Sequence, residues 1–264
     1  YCWGPQEFEN PVDTPTAQAI VRKIASVGAR RVVFTGGDPL LRTDIGGLIE
    51  TAKSEGLEVA LSTTGDELTR DFLVDYGKSI DLISLPLDGA SESVSSRTKK
   101  EGHFAAILQA LKMLREFPTI DVKVATPVTR SNREDVPGIV SILEEHASRM
   151  RNRLFYNVFQ AFPRAMSEVD WEELVVTNEE FQRIRSRVEA SPPSFRINWL
   201  SHETLDRLYV MIFPDGSLTV PAGGEYLNYG AFLGVDDLEA LLSRTDFDAP
   251  KHELHSKGWS RTEG

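Results

Sequence analysis

Cysteine is nearly absent from this sequence, in which Cys2 is the single cysteine among 264 residues. One cysteine cannot close a disulfide within the chain, so a secreted scaffold stapled by internal disulfides is excluded. Thiols stay reduced in the cytoplasm. We therefore expect a cytoplasmic protein.

Long apolar runs and an excess of positive charge are missing as well. No run of about 18 apolar residues occurs, so no membrane span is expected, and no signal peptide is evident, although the chain opens at Tyr1. Lysine and arginine number 29 against 40 aspartates and glutamates, a net charge of −11. This balance argues against binding of duplex nucleic acid, which needs a broad basic face.

Strand and helix patterns alternate along the first part of the chain. Apolar runs predict strands, and apolar residues three and four apart predict helices between them. Such alternation predicts parallel strands with a site at their carboxyl ends, here a partial (β/α)6 barrel whose first strand would precede residue 1. The five predicted strands are Arg31–Phe34, Glu58–Ser62, Ile80–Leu87, Asp121–Val128 and Leu154–Phe162, and the helices cover 14–28, 43–54, 67–76, 104–117 and 133–146.

The remainder of the chain has a different pattern. Pro214-Asp215-Gly216 is a strong hairpin signal between two short apolar runs, at 208–213 and 217–220. A helix is predicted over 178–188, a strand over 195–199 and a short helix over 235–242, followed by a polar tail. We expect a barrel core over residues 1–162 and a C-terminal extension over 163–264 that covers the barrel mouth.

Three short motifs carry chemistry. They are Tyr1-Cys2 at the start, Gly36-Gly37-Asp38-Pro39 after the first strand and Ser62-Thr63-Thr64-Gly65 after the next. Each has a plain structural alternative: a free thiol, a strand-to-helix turn started by proline, and a Ser/Thr helix cap. Together, in this order and spacing, they resemble the radical S-adenosylmethionine (SAM) superfamily.

The resemblance implies cofactors and an activity. Cys2 would be the third ligand of a [4Fe–4S] cluster held by a C-x-x-x-C-x-aromatic-C loop, with the other two cysteines upstream of residue 1. SAM would bind the cluster and be cleaved by one electron, from a donor such as flavodoxin or ferredoxin, to a 5′-deoxyadenosyl radical. The resemblance identifies no catalytic side chain.

The same resemblance assigns the SAM site. The glycines and Asp38 would receive the amino group of SAM, and the Ser/Thr strand end would meet its ribose and carboxylate. Arg97 would pair with the carboxylate, although a surface salt bridge is the plain alternative. The complete set is Gly36, Gly37, Asp38, Pro39, Ser62, Thr63, Thr64, Ser84, Asp88 and Arg97, with Thr126 and Gln160 on the last two strands near the adenine.

Within the superfamily the chain looks most like viperin-like, nucleotide-modifying members. Val158-Phe159-Gln160 matches their pattern, but Asn157 stands where a lysine is expected. The cysteine count excludes an auxiliary cluster held within residues 3–264. We therefore expect a small polar metabolite or nucleotide as substrate, with peptide modification and a degenerate, non-catalytic fold as alternatives. Candidate substrate residues are Lys123, Arg130, Asn157, Arg164 and Tyr226, any of which could instead be an ordinary surface group.

Other enzyme classes fit less well. A nicotinamide enzyme would carry Gly-x-Gly-x-x-Gly, which is absent from the sequence. A metallohydrolase barrel would place histidines at strand ends. The five histidines fall instead in predicted helices or in the tail, at His103, His146, His202, His252 and His255.

Overall fold

The computed structural model of the protein describes residues 11–163 and 170–257. Its centre is a six-stranded sheet in which every neighbouring pair is parallel and the strands follow one another in chain order. Sequential parallel strands with right-handed crossovers form the wall of a barrel, so the predicted partial (β/α)6 barrel is confirmed. The strands are β1 (Arg31–Phe34), β2 (Glu58–Ser62), β3 (Leu82–Pro86), β4 (Asp121–Val128), β5 (Leu154–Gln160) and β6 (Arg196–Leu200).

Helices cover the outside of this sheet. Leu61, Ile83 and Val124 on the strands are fully buried in one core together with Ile49 and Leu111 of the helices. The helices are α1 (Thr14–Ser26), α2 (Ile45–Ser54), α3 (Arg70–Tyr76), α4 (Glu92–Ser95), α5 (His103–Leu114), α6 (Val136–Ala147), α7 (Trp171–Leu174) and α8 (Asn178–Glu189).

Local signals set the ends of these helices. Asp13 accepts a hydrogen bond from Thr16 N (2.9 Å) at the start of α1, and Thr177 and Glu180 form a capping box at the start of α8. Both arrangements satisfy backbone N–H groups that have no partner inside the helix.

The C-terminal region adds a small antiparallel sheet in the order β7-β8-β9. Leu218, Val220 and Phe232 pack with Ile20 of α1, and Lys23 of α1 donates to the Leu233 carbonyl (2.8 Å). The sheet therefore lies against the side of α1. Its elements are α9 (His202–Leu205), β7 (Met211–Ile212), β8 (Ser217–Ala222), β9 (Glu225–Ala231), α10 (Leu238–Leu242) and α11 (Ala249–Lys257).

Two features of this region differ from the sequence-based expectation. The strand predicted near 195–199 is β6, which pairs with β5 and so extends the barrel sheet past residue 162. Strand β9 and helix α11 were not predicted, because neither has a clear apolar periodicity. The domain boundary at 162 and the covering of the mouth by the extension stay predictions. No helix in the described ranges is long and apolar enough to cross a membrane.

Candidate active site

A cleft of about 160 Å³ opens at the carboxyl ends of the first strands. Six of the residues predicted to bind SAM line it, from three successive strand ends. The lining consists of Thr35, Gly36, Gly37, Ser62, Thr63, Thr64, Ser84, Pro86 and Ala125. Two of the three sequence motifs, the glycine loop and the Ser/Thr strand end, therefore meet in one place, and Tyr1-Cys2 lies outside the described residues.

Glycine is needed in the first of these strand ends. Gly36 has φ +138°, a conformation that side chains rarely adopt. A Cβ placed on Gly36 or Gly37 would find no atom within 4 Å. The backbone therefore borders open space on the cleft side, with room for a ligand to approach closely.

Asp38 connects this glycine loop to the end of β2. Its carboxylate accepts hydrogen bonds from Leu40 N (3.0 Å), from Thr63 Oγ1 (2.9 and 2.8 Å) and from Thr64 N (2.9 Å). Pro39 next to it is buried and begins a 3₁₀ turn over Pro39–Leu41. Both residues thus shape the cleft, and neither lines it.

The barrel-facing side of the sheet continues from the cleft onto β4. Ser84 lies in register with Lys123, and register partners in a parallel sheet point to the same face. Burial, together with the charge of Arg31, lowers the pKa of Lys123 to about 8. A charged amine therefore lies on the inner face beside the cleft.

Two further groups lie near Lys123. Burial lowers the pKa of His255 on α11 to about 4, with contributions from the charges of Lys123, His252 and Arg196. Arg196, at the start of β6, also donates to Asn198 Oδ1 (2.9 Å). The charges of basic side chains from β1, β4, β6 and α11 thus influence one another at the amino-terminal half of the inner face, where Glu58 of β2 accepts a hydrogen bond from Arg31 Nε (2.9 Å).

A pair of amides lies on the inner face level with Ala125, two residues after Lys123 toward the carboxyl ends of the strands. Asn157 is in register with Ala125 of the cleft on one side and with Asn198 on the other. Asn198 Nδ2 donates to Asn157 Oδ1 (2.9 Å). Asn157, predicted to contact substrate, is therefore on the face that the cleft also occupies.

Thr126 and Gln160, predicted near the adenine, lie on the opposite, helix-facing side of their strands. Thr126 Oγ1 donates to the Leu87 carbonyl (2.6 Å) and accepts from Tyr156 Oη (2.9 Å). Gln160 Nε2 donates to Asn178 Oδ1 (2.8 Å). Their side chains are separated from the cleft by the sheet itself, because they alternate with the inward-facing residues.

Asp88 and Arg97 lie near the mouth of the barrel but outside the lining of the cleft. Asp88 is fully buried; its carboxylate accepts from Thr98 Oγ1 (3.0 Å) and lies 3.7 Å from Lys99 Nζ. Arg97 is exposed and donates to the Ser131 carbonyl (2.9 Å). Both groups contribute to holding the loops that follow β3 and β4.

The other substrate candidates are not brought together with Lys123. Arg130 is exposed, and its Nε donates to the Val175 carbonyl (3.0 Å). Arg130 follows Lys123 by seven positions and lies beyond the end of β4 at Val128. Tyr226 belongs to β9, where it contacts Phe213 with ring centroids 5.4 Å apart. Cys2 and Arg164 lie outside the described residues.

Sequence reasoning missed several residues of this inner surface. Thr35, Pro86 and Ala125 are not among the predicted site residues, yet the alternation of β3 and β4 around Ser84 identifies the last two. Arg196 and His255 come from segments that carry no signal for the barrel.

Comparisons with known proteins agree with this architecture. The model of the radical SAM superfamily matches residues 1–143. The chain is 28% identical over 215 residues to the S-adenosylmethionine-dependent nucleotide dehydratase of Flammeovirga pacifica, covering 79% of this chain and 70% of that protein. It is 30% identical over 158 residues to the Fe-coproporphyrin III synthase of Methanosarcina barkeri, covering 59% of this chain and 38% of the synthase.

Solved structures share the fold at lower identity. Streptococcus suis SuiB bound to S-adenosylmethionine superposes with a TM-score of 0.67 at 13% identity, covering 96% of this chain and 63% of SuiB. Native anSMEcpe with bound AdoMet superposes with a TM-score of 0.65 at 12% identity, covering 96% of this chain and 76% of anSMEcpe. The chain thus spans 38% of the synthase and 63% of SuiB, less than two thirds of either.

Proposed function

This chain belongs to the radical SAM superfamily, and we propose that it cleaves SAM reductively and abstracts hydrogen from a small polar metabolite or nucleotide. One observation carries the proposal. Ser84 lines the cleft and lies in register with Lys123 on the same inner face. A substrate held by Lys123 would therefore lie directly beside SAM held in the cleft.

The residues of the cleft suit the polar end of SAM. Hydroxyl groups from three strand ends offer hydrogen bonds, and the open space at Gly36 and Gly37 lets backbone groups approach a ligand. Cys2 would hold the cluster with two further thiolates. When bound, the [4Fe–4S] cluster and SAM supply a one-electron cleavage that yields the 5′-deoxyadenosyl radical.

The inner surface beyond the cleft favours an anionic polar substrate. Lys123 presents an amine on this face, and charge-assisted hydrogen bonds from an amine to an anionic group are stronger than those between neutral groups. The Asn157–Asn198 pair adds amide donors and acceptors on the same face. The match to nucleotide dehydratases from Flammeovirga pacifica and Lacinutrix mariniflava, over 79% and 93% of this chain, supports a nucleotide as substrate.

The proposal also includes an electron donor, a cellular compartment and a set of SAM-binding residues. A reduced flavodoxin or ferredoxin would supply the electron, and the cytoplasm would keep Cys2 reduced. Gly36, Gly37, Ser62, Thr63, Thr64 and Ser84 would hold SAM, with residues 163–264 as an extension of the barrel core.

Formation of 5′-deoxyadenosine tests the activity. The full-length protein is reconstituted anaerobically with iron and sulfide, reduced with dithionite and incubated with SAM. We expect 5′-deoxyadenosine from the wild type and none above background from Cys2→Ala. Equal background amounts of 5′-deoxyadenosine from both proteins would support a degenerate, non-catalytic fold instead.

Deuterium transfer then tests the substrate class. Reduced enzyme and SAM are incubated with deuterated nucleotide, nucleoside and peptide pools, and deuterium is measured in 5′-deoxyadenosine. We expect transfer from a nucleotide or small-metabolite pool. Transfer from a peptide alone would replace this proposal by peptide modification. A mycofactocin maturase of Mycolicibacterium smegmatis also matches 70% of this chain at 22% identity.

A further inference from the structure

A row of register partners crosses the inner face of the barrel, beginning at the cleft. Ser84 lines the cleft and is in register with Lys123. Lys123 is in register with Phe155, and Phe155 with Arg196. Register partners point to the same face of a sheet, so Arg196 shares the inner face with Lys123, two strand spacings or about 10 Å away. Two long basic side chains at this spacing can contact one anionic ligand between them.

Arg196 is held in place by the pair of amides on the same face. Its Nε donates to Asn198 Oδ1 (2.9 Å), and Asn198 Nδ2 donates in turn to Asn157 Oδ1 (2.9 Å). Asn198 lies two residues after Arg196 and is level with Ala125, which lines the cleft. The hydrogen bond therefore directs the guanidinium from the start of β6 toward the level of the cleft. A group that is held before its ligand arrives loses less entropy on binding.

The charges that act on this part of the inner face are mostly positive. Burial lowers the pKa of His255 on α11 to about 4, and the charges of Lys123 and Arg196 contribute, so this imidazole lies within range of both and is neutral at pH 7. The charge of Arg31 is matched by Glu58, which accepts from Arg31 Nε (2.9 Å). Among the residues that the structure describes, no carboxylate contributes to the pKa of Lys123 or of His255. The surface between β4 and β6 therefore favours an anion.

The two basic groups suit a phosphoryl group. A guanidinium offers two parallel hydrogen bonds to the oxygens of an anion, and an ammonium binds phosphate as a point charge. A terminal phosphoryl group has three acceptor oxygens, whereas a carboxylate has two. A phosphoryl group can therefore meet the guanidinium and the ammonium together.

We propose that Arg196, positioned by Asn198, is a second cation of the substrate site and binds a phosphoryl group of the substrate together with Lys123. The inference rests on the proposed function, because it adds a specificity-determining residue to the same substrate site. Arg196 belongs to none of the sequence motifs, and the strand register alone places it beside Lys123.

Equilibrium binding of inorganic triphosphate to the full-length protein tests the inference without turnover. Arg196→Gln removes the guanidinium, and Arg183→Gln, at an exposed position of α8, is the matched control. We expect Arg196→Gln to weaken triphosphate about ten- to a hundredfold, the usual loss for a hydrogen bond to a charged group, and the control to stay within about twofold. Thermal unfolding checks that each variant is folded. Unchanged affinity in the Arg196 variant, or an equal loss in both variants, would overturn the inference.

Citrate tests the class of anion, because it carries several negative charges on carboxylates alone. The wild type should bind citrate more weakly than triphosphate, and Arg196→Gln should change its affinity for citrate less. Citrate that binds as tightly as triphosphate, with the same loss in the variant, would overturn the assignment of a phosphoryl group.

A double-mutant cycle tests the positioning role of Asn198. Asn198→Ala removes the acceptor that holds Arg196 Nε. It should weaken triphosphate in the wild-type background but add little once Arg196→Gln is present. Full additivity of the two losses would mean that Asn198 does not act through Arg196, which contradicts its positioning role.

Activity measurements separate this inference from the proposed function. A wild type that binds triphosphate through Arg196 but forms no 5′-deoxyadenosine from SAM would contradict the proposed function and support the anion site. A wild type that forms 5′-deoxyadenosine with a nucleotide substrate, at a KM that Arg196→Gln leaves unchanged, would overturn this inference alone.

Discussion

Strands β4 and β5 carry polar residues on both faces, and the two faces use them differently. On the helix-facing side, Tyr156 donates to Thr126, which donates to the Leu87 carbonyl, and all three lie in the core. On the barrel-facing side, Lys123 and Asn157 lie beside the cleft. Polar groups that close a network within the core stabilise the fold, whereas we propose a ligand-binding role for the charge on the inner face.

Removing the charge of Lys123 should have the largest effect on activity. We expect Lys123→Met to lower kcat/KM for the substrate by about ten- to a hundredfold, because an anionic group loses its charged partner. SAM binding should change little, since the cleft is lined by other residues. Lys78→Met, at an exposed position after α3, is the matched control.

The measurement is substrate-dependent 5′-deoxyadenosine formation at varied substrate concentration. An equal loss in the Lys78 variant would show a general effect of charge. A loss of SAM affinity in the Lys123 variant would mean that the two inner regions are not separate sites.

The pH dependence of KM sharpens the same comparison. Burial and the charge of Arg31 lower the pKa of Lys123 to about 8, so the amine is charged below this pH and neutral above it. KM for an anionic substrate should therefore rise above about pH 8, approaching tenfold per unit. His255, with a pKa of about 4, stays neutral throughout this range.

Lys123→Arg keeps its charge at high pH and should flatten this rise, measured as KM between about pH 7 and 9.5. The free energy of unfolding should also depend on pH, but here a higher pH is favourable. The folded protein binds fewer protons than the unfolded chain between the lowered and the ordinary pKa of lysine, so stability increases with pH in that window. A wild-type KM that does not change across pH 8 would exclude Lys123 as the substrate cation.

Much of the barrel could be predicted because apolar strands alternate with amphipathic helices. The five predicted strands correspond to β1–β5, and the two glycines and the Ser/Thr motif meet in one cleft. Strand β9 alternates poorly, and α11 has no apolar face, so local pattern could not identify them. His255 feels the charges of Lys123 and Arg196 only because tertiary packing brings α11 to the barrel, and no short motif encodes that packing.

The helix-facing network gives a smaller effect of a different kind. Thr126→Val removes the donor to the Leu87 carbonyl and leaves Tyr156 Oη without its acceptor. We expect a loss of about 1–3 kcal/mol in the free energy of unfolding, from buried groups left unsatisfied. Denaturant unfolding measures this loss. A large drop in SAM affinity without a loss of stability would instead support the sequence-based assignment of Thr126 to the cofactor site.

Arg130 should give the smallest effect, and it tests whether the inner surface alone binds the substrate. Arg130 is exposed and donates to the Val175 carbonyl, so Arg130→Met removes one surface hydrogen bond. We expect a loss of stability below about 1 kcal/mol. Since Arg130 lies beyond the carboxyl end of β4 and bonds to the Val175 carbonyl, KM for the substrate should remain close to the wild-type value. The same assay of substrate-dependent 5′-deoxyadenosine formation measures it. A rise in KM comparable to that of Lys123→Met would show that the substrate reaches from the inner surface to the end of β4, and that both cations hold it.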